Sequence, residues 1–145
     1  MWVQCQICKR PMFGVPCLQI ARKFFFWLLL KDRLSTRELL RRKTMDLESY
    51  NCVLCHLNVE ESLLHLFFHC PFAMSCWNLL NLAHLIQSNL LDTISAFKDQ
   101  IQRSFYMEII ISMCWAIWTA RNDVIFRTNS THLEQLSSSS EKRWL

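Results

Sequence analysis

The stretch that decides the fold is CVLCHLNVEESLLHLFFHC, which runs from Cys52 to Cys70. Cys52 and Cys55 are separated by two residues, and after nine further residues His65 and Cys70 are separated by four. A two-residue gap lets a tight loop aim both sulfur atoms at one point, and the second pair comes from another element. Three thiolates and one imidazole complete a tetrahedron around zinc and leave no position for water. The pattern predicts one structural zinc ion.

Two neighbouring histidines offer alternatives to this ligand set. His56 and His69 adjoin Cys55 and Cys70, and two adjacent side chains reach one ion with difficulty. His69, one helical turn further along the chain, is the main alternative to His65 as the ligand. The four residues could also be ordinary buried thiols and a buried histidine, since free cysteine is often buried. Ligand types and both short spacings favour zinc.

The eight cysteines and the apolar runs bear on the compartment. No signal peptide is evident, because the apolar run 24–30 is short and ends in charged residues. Neither this run nor 105–118 is long enough to span a bilayer. We therefore expect an intracellular, reducing setting without a membrane, in which cysteines are thiols or metal ligands.

Cys5, Cys8 and Cys17 have no nearby fourth ligand, which disfavours a second zinc site.

The composition favours a mostly α-helical fold. Apolar residues make up 52% of the 145, and Gly14 is the single glycine. Glycine-rich phosphate loops, dinucleotide folds and turn-rich β-sandwiches are therefore disfavoured. The sequence predicts helices over 22–31 and from Pro71 onward, and a long apolar C-terminal helix over 104–126 appended to a small zinc-binding module.

A further helix has a complete start signal. Ser35 is placed to cap it, and Glu38 three residues on can return the hydrogen bond, which is a capping box. Leu34 and Leu39 supply the apolar contact across the cap.

Positive charge is concentrated in the first third of the chain. Residues 1–51 hold ten Lys or Arg against four Asp or Glu, whereas residues 52–145 hold six against eight. This asymmetry suits nucleic acid, although a solvated helix face gives the same count. The candidate phosphate-binding residues lie on the helix after Ser35: Arg37, Arg41, Arg42 and Lys43.

Catalysis is not indicated. No two aspartates are adjacent, and no acidic cluster could hold two metal ions, so neither polymerase nor nuclease chemistry nor a small-molecule substrate is expected. Aromatic residues at core-like spacings predict packing rather than base stacking: Phe24, Trp27, Phe67, Phe68 and Trp77.

The segments KFFFWLLLKDRLSTRELLRRK, CVLC and EESLLHLFFHCPFAMSCW together resemble the reverse-transcriptase zinc-binding domain of plant non-LTR (LINE-type) retrotransposons and related ribonuclease H proteins. The matching residues are Phe25, Trp27, Leu34, Thr36, Leu39, Arg42, Cys52, Cys55, Glu61, Ser62, His65, Leu66, Phe67, Cys70 and Trp77. The later CWAIWTARNDVIF, with Arg121 and Asn122, resembles the helix that leads to a ribonuclease H domain in longer relatives.

The resemblance implies a non-catalytic piece of a retroelement polyprotein that assists nucleic-acid binding. A zinc-stabilised module that docks on a protein partner or neighbouring domain, or a decayed fragment without present activity, is the alternative. The expected organisation is an unassigned segment 1–21, the zinc-binding domain 22–90, a linker and apolar helix 91–127, and a flexible Ser-rich tail 128–145.

Overall fold

The computed structural model describes residues 15–141, and side chains within 18–127. In this part the backbone forms five α-helices, joined by a π-helical turn and a 3-10 turn. The helices are α1 (Val15–Leu30), α2 (Arg37–Arg42), α3 (Pro71–Asn78), α4 (Leu90–Ile101) and α5 (Tyr106–Glu141), with the π-helical turn at His65–His69 and the 3-10 turn at Ala83–Leu85. Pairing between extended segments is limited, over the described residues, to one isolated bridge between Asn51 and Glu60. The predicted mostly α fold with a long C-terminal helix is confirmed.

Two helices extend beyond their predicted ends. α1 begins at Val15 rather than at residue 22, because Pro16 lies in the first turn, where its missing N–H has no helical partner to lose. α5 continues to Glu141, through most of the segment 128–145 that the sequence predicts as a flexible tail. Serine is only moderately less favourable than alanine in a helix, so Ser137–Ser140 do not stop it.

The start of α2 corrects the predicted cap by one residue. Thr36, not Ser35, is the N-cap, and its Oγ1 accepts a hydrogen bond from the Leu39 N–H at 3.3 Å. Glu38 does not return the bond; its carboxylate lies 3.9 Å from Arg42. Thr36 is fully buried, whereas Ser35 is exposed, so tertiary packing selects the cap.

The turns within residues 15–141 form without glycine. Five described residues adopt positive φ, and three of them are Asp32, Asn58 and Asn81. Short Asn and Asp side chains tolerate this left-handed region because they hydrogen-bond locally. Asn58 lies in the loop that carries Cys52 and Cys55.

One hydrophobic core includes residues of the predicted zinc-binding domain and of α5. Phe68 stacks on Trp77 with ring centroids 5.7 Å apart, and the Trp77 Nε1–H donates to the Phe67 carbonyl at 2.8 Å. Ile110 and Ile117 of α5 are fully buried in the same cluster. The core therefore extends across the boundary that the sequence places at residue 90.

The first part of α5 also has the length and composition of a membrane-spanning helix. This part covers Tyr106–Arg127, which is longer than the stretch 105–118 that we judged from the sequence to be too short for a span. One such helix is weak evidence for a membrane protein, because core helices pass the same test. Ile110, Cys114 and Ile117 are fully buried in the hydrophobic core, and 28% of this apolar part of α5 is buried inside the protein.

Candidate metal centre

The four predicted zinc ligands converge. One ligand atom from each of Cys52, Cys55, His65 and Cys70 lies within 4.8 Å of the other three. Cys52 and Cys70 are buried, and His65 is 8% exposed. Two separate elements supply the donors, a loop for the first pair and the π-helical turn for the second.

The spacing of the donor atoms fits zinc. A tetrahedral zinc ion places two thiolate sulfurs about 3.8 Å apart, and a sulfur and an imidazole nitrogen about 3.5 Å apart. The Sγ atoms of Cys52 and Cys70 are 3.9 Å apart, and Cys55 Sγ lies 3.4 Å from His65 Nε2. These two distances match those around one zinc ion, and all four donor atoms lie within 4.8 Å of one another.

The loop that carries Cys52 and Cys55 is held at its base. The Cys52 N–H donates to the Val59 carbonyl at 2.8 Å, and the Glu61 N–H donates to the Tyr50 carbonyl at 2.9 Å. Arg37 adds to this, because its Nη1 donates to the Asn51 carbonyl at 3.1 Å and to that of Ser49. A side chain of α2 therefore fixes the backbone directly before the first ligand.

The π-helical turn explains the spacing of the second pair. In an α-helix, residues five apart point about 140° away from one another. Here the Cys70 N–H donates to the His65 carbonyl at 2.6 Å, which is the wider i to i+5 bond of a π-helix. The wider turn brings residue i+5 closer to the face of residue i, so both side chains reach the same point. Ser62 Oγ accepts the His65 N–H at 3.1 Å and fixes the start of this turn.

Burial changes the pKa of three of the four ligands. It raises the pKa of the Cys52 thiol to about 12, against the opposing effect of the Leu54 N–H. It also raises the pKa of Cys70, and the backbone N–H groups at the start of α3 act in the opposite direction. Burial lowers the pKa of His65, which favours the neutral imidazole that binds metals.

A comparison with known families agrees with this geometry. Residues 11–77 match the family described as zinc-binding in reverse transcriptase. This part of the chain is similar to that domain. Curated proteins and solved structures give no significant match. The family and the donor cluster together confirm the prediction of a single zinc ion.

The match differs in extent from the domain predicted at 22–90. It begins at residue 11, before α1, and ends at Trp77, the buried tryptophan of α3. The metal centre lies wholly inside the matched segment.

The alternative histidine ligands lie outside the zinc-binding group. His56 and His69 are both exposed. Cys76 is also outside it, and Cys114 is fully buried in the core. Cys5, Cys8 and Cys17 lie outside the residues whose side chains the structure describes.

A buried ion pair next to the metal centre was not predicted as a unit. Glu61 is fully buried, and its Oε1 accepts a hydrogen bond from Arg121 Nη2 at 2.7 Å. Oε1 also accepts the Arg37 N–H at 3.1 Å, so this carboxylate completes the start of α2. Arg121 further donates to the Ser35 carbonyl and lies over the Trp118 ring. Both residues lie in segments that resemble the family, but 60 positions separate them and no local sequence pattern links them.

The predicted phosphate-binding residues are largely engaged within the protein. Arg37 holds the ligand loop, Arg41 Nε lies 2.5 Å from Glu60, and Arg42 Nη2 lies 2.6 Å from Asp32. The ion pairs of Arg41 and Arg42 are on the surface, and Lys43 is exposed. These pairs also raise the pKa of both arginines through hydrogen bonding to the carboxylates.

Proposed function

We propose that the chain is a non-catalytic, structural zinc module of a reverse-transcriptase polyprotein of the non-LTR retrotransposon type. The observation that carries this proposal is the closed set of three sulfurs and one nitrogen from Cys52, Cys55, His65 and Cys70. Such a set leaves no coordination position at which water could be activated. Zinc then acts by holding the ligand loop against the π-helical turn.

The test is zinc stoichiometry in matched cysteine variants. Cys52→Ser removes one ligand, and we expect native mass spectrometry to show less than one bound zinc ion and lower thermal stability. Cys76→Ser is the control, because Cys76 is a partly buried cysteine outside the ligand group. Full zinc occupancy in Cys52→Ser would show that the ligand assignment is wrong.

The absence of catalysis is tested by primer extension and RNA cleavage. We expect the purified chain to give no turnover in either assay with magnesium present. Activity that co-purifies with the chain and persists in Cys52→Ser would argue for a catalytic site elsewhere.

We further propose that the module assists nucleic-acid binding. The net positive charge of residues 1–51 supports this, and surface ion pairs such as Arg41–Glu60 exchange readily because each is weak in water. Arg41→Ala with Arg42→Ala should reduce the salt dependence of single-strand binding by about 0.7 in log–log slope for each lost phosphate contact. Arg37 is left intact because it holds the ligand loop. An unchanged slope would mean that these arginines form only a solvated face.

A protein-docking role is the second candidate. A groove between α2, the ligand loop and α5 is lined by Leu40, Leu47, Val53, Ile125 and Phe126. Phe126 is 65% exposed, which is unusual for a large aromatic side chain. A variant Phe126→Ser that binds oligonucleotides normally but no longer associates with the adjoining polyprotein segment would favour docking.

A further inference from the structure

The outward face of α1 carries two stacked aromatic rings. Phe24 is 49% exposed and Trp27 is 51% exposed, with ring centroids 5.9 Å apart and 18° between the ring planes. Phe25 and Phe26 between them are buried in the core. The sequence predicts that Phe24 and Trp27 pack inside, and for these two residues the prediction is wrong. The helix turns them away from the core because the neighbouring pair fills it.

Lysines flank these rings on the same face. Lys23 and Lys31 are exposed, and positions 23, 24, 27 and 31 follow the helical spacing of three or four residues. The two lysines are roughly 12 Å apart along the axis, with the rings between them. α1 contains no acidic residue, and the next carboxylate along the chain, Asp32, is paired with Arg42. Glu108 of α5 lines a pocket together with Lys23, where the guanidinium of Arg22 offsets its charge, so the face keeps a net positive charge.

We propose that this face of α1 binds single-stranded nucleic acid, with unpaired bases stacking on Phe24 and Trp27 and phosphates near Lys23 and Lys31. The inference rests on the nucleic-acid role proposed above and assigns it a surface. Aromatic rings accept any base face, and lysines accept phosphate without reading sequence. Duplex nucleic acid offers no free base faces, so the surface selects single strands.

Charge argues against the other occupants of this face. A second copy of the chain would bring Lys23 and Lys31 against the same lysines, which is unfavourable. Residues 1–14 carry Lys9 and Arg10 and no acidic residue, so they do not complement the face either. A polyanion is the occupant whose charge matches.

Fluorescence anisotropy with the zinc-loaded full chain tests the proposal. The probes are labelled twelve-nucleotide oligo-dT and oligo-rU strands and a duplex of equal length. Trp27→Ala should weaken single-strand binding at least about fivefold, because loss of one base stack has this effect. Trp27→Phe keeps an aromatic ring and should therefore retain most of the single-strand affinity. Lys23→Ala with Lys31→Ala should lower the salt slope for single strands by about 1.4.

The matched control is Phe105→Ala, since Phe105 is 53% exposed but lies outside α1. Single-strand affinity equal in wild type and Trp27→Ala, with zinc content intact, would overturn the surface assignment alone. Wild type that holds one zinc ion and binds no oligonucleotide would overturn the nucleic-acid role as well. A dimer in wild type that Trp27→Ala dissociates, with oligonucleotide affinity unchanged, would assign the face to a second copy.

Discussion

Glu61 and Arg121 form a buried ion pair that joins the segment before the π-helical turn to α5. Both side chains are almost completely removed from water, and three hydrogen bonds link them. Glu61 also accepts a backbone N–H of α2, and Arg121 donates to the Ser35 carbonyl. Removing one partner of such a pair leaves a buried charge without compensation, whereas the intact pair gives a fixed geometry.

We predict that Glu61→Gln lowers the free energy of unfolding by about 3 to 5 kcal/mol, because Arg121 then keeps a buried charge without a carboxylate. Urea unfolding followed by circular dichroism measures this change. The control is Glu60→Gln next to it, whose partner Arg41 is on the surface and whose loss should change stability little. Equal losses in the two variants would contradict a special role for the buried pair.

The protonation of the ligands gives a pH dependence. Burial raises the pKa of Cys52 to about 12 and raises that of Cys70, so both thiols are protonated at neutral pH before the metal binds. Zinc must displace these protons, so apparent affinity should fall by at least about two orders of magnitude for each pH unit lowered in this range. Competition titration with a zinc indicator at pH 6.5 and 7.5 measures this. Affinity that does not change with pH would contradict it.

Among the elements, α2 shows how far the sequence predicts local structure. The run from Ser35 to Leu39 predicts the start of α2 to within one residue, since a polar cap before an apolar periodic segment is a local signal. The choice between Ser35 and Thr36 is not local, because it depends on which side chain the rest of the fold buries. The acceptor for the first helical N–H is Glu61, 24 positions away, which no capping pattern can indicate.

The position of the α2 cap leads to a prediction for two variants. Thr36→Ala should lower the free energy of unfolding by about 1 kcal/mol, because the Leu39 N–H loses its acceptor. Ser35→Ala should have almost no effect, since its side chain is exposed. Thermal unfolding of both variants distinguishes the caps, and a larger loss in Ser35→Ala would support the capping box instead.

The ligands of the metal centre could be predicted from the sequence, but the backbone conformation that brings them together could not. Ligand types and close spacing select Cys52, Cys55, His65 and Cys70 without a structure. The π-helical turn that lets His65 and Cys70 share one point was not predictable, because a five-residue spacing in a regular helix separates them. The exposure of Phe24 and Trp27 was missed for a similar reason, since helical periodicity alone does not say which aromatic residues fill the core.

In the whole molecule, the metal centre and α5 share one hydrophobic core. Phe67 of the π-helical turn stacks on Trp118 of α5 with ring centroids 6.2 Å apart, and Ile110 and Ile117 are buried in the same cluster. A zinc ion bound by His65 and Cys70 would hold the turn that carries Phe67, so we expect the metal to stabilise the surface on which α5 packs. A fold with such a shared core is expected to unfold as one cooperative unit.

Removal of zinc should therefore loosen α5 as well as the ligand loop. We predict that chelation increases amide hydrogen exchange at Ile110–Ile117 together with Cys52–Cys70, because the packing surface for α5 is lost with the turn. Exchange mass spectrometry of the zinc-loaded and chelated chain measures both segments, and Cys76→Ser with zinc bound should exchange like the wild type. Protection of α5 that survives chelation, while the ligand loop exchanges freely, would mean that the helix folds independently of the metal. Parallel loss of protection in both segments would show that the zinc ion, the buried Glu61–Arg121 pair and the aromatic core stabilise one cooperative structure.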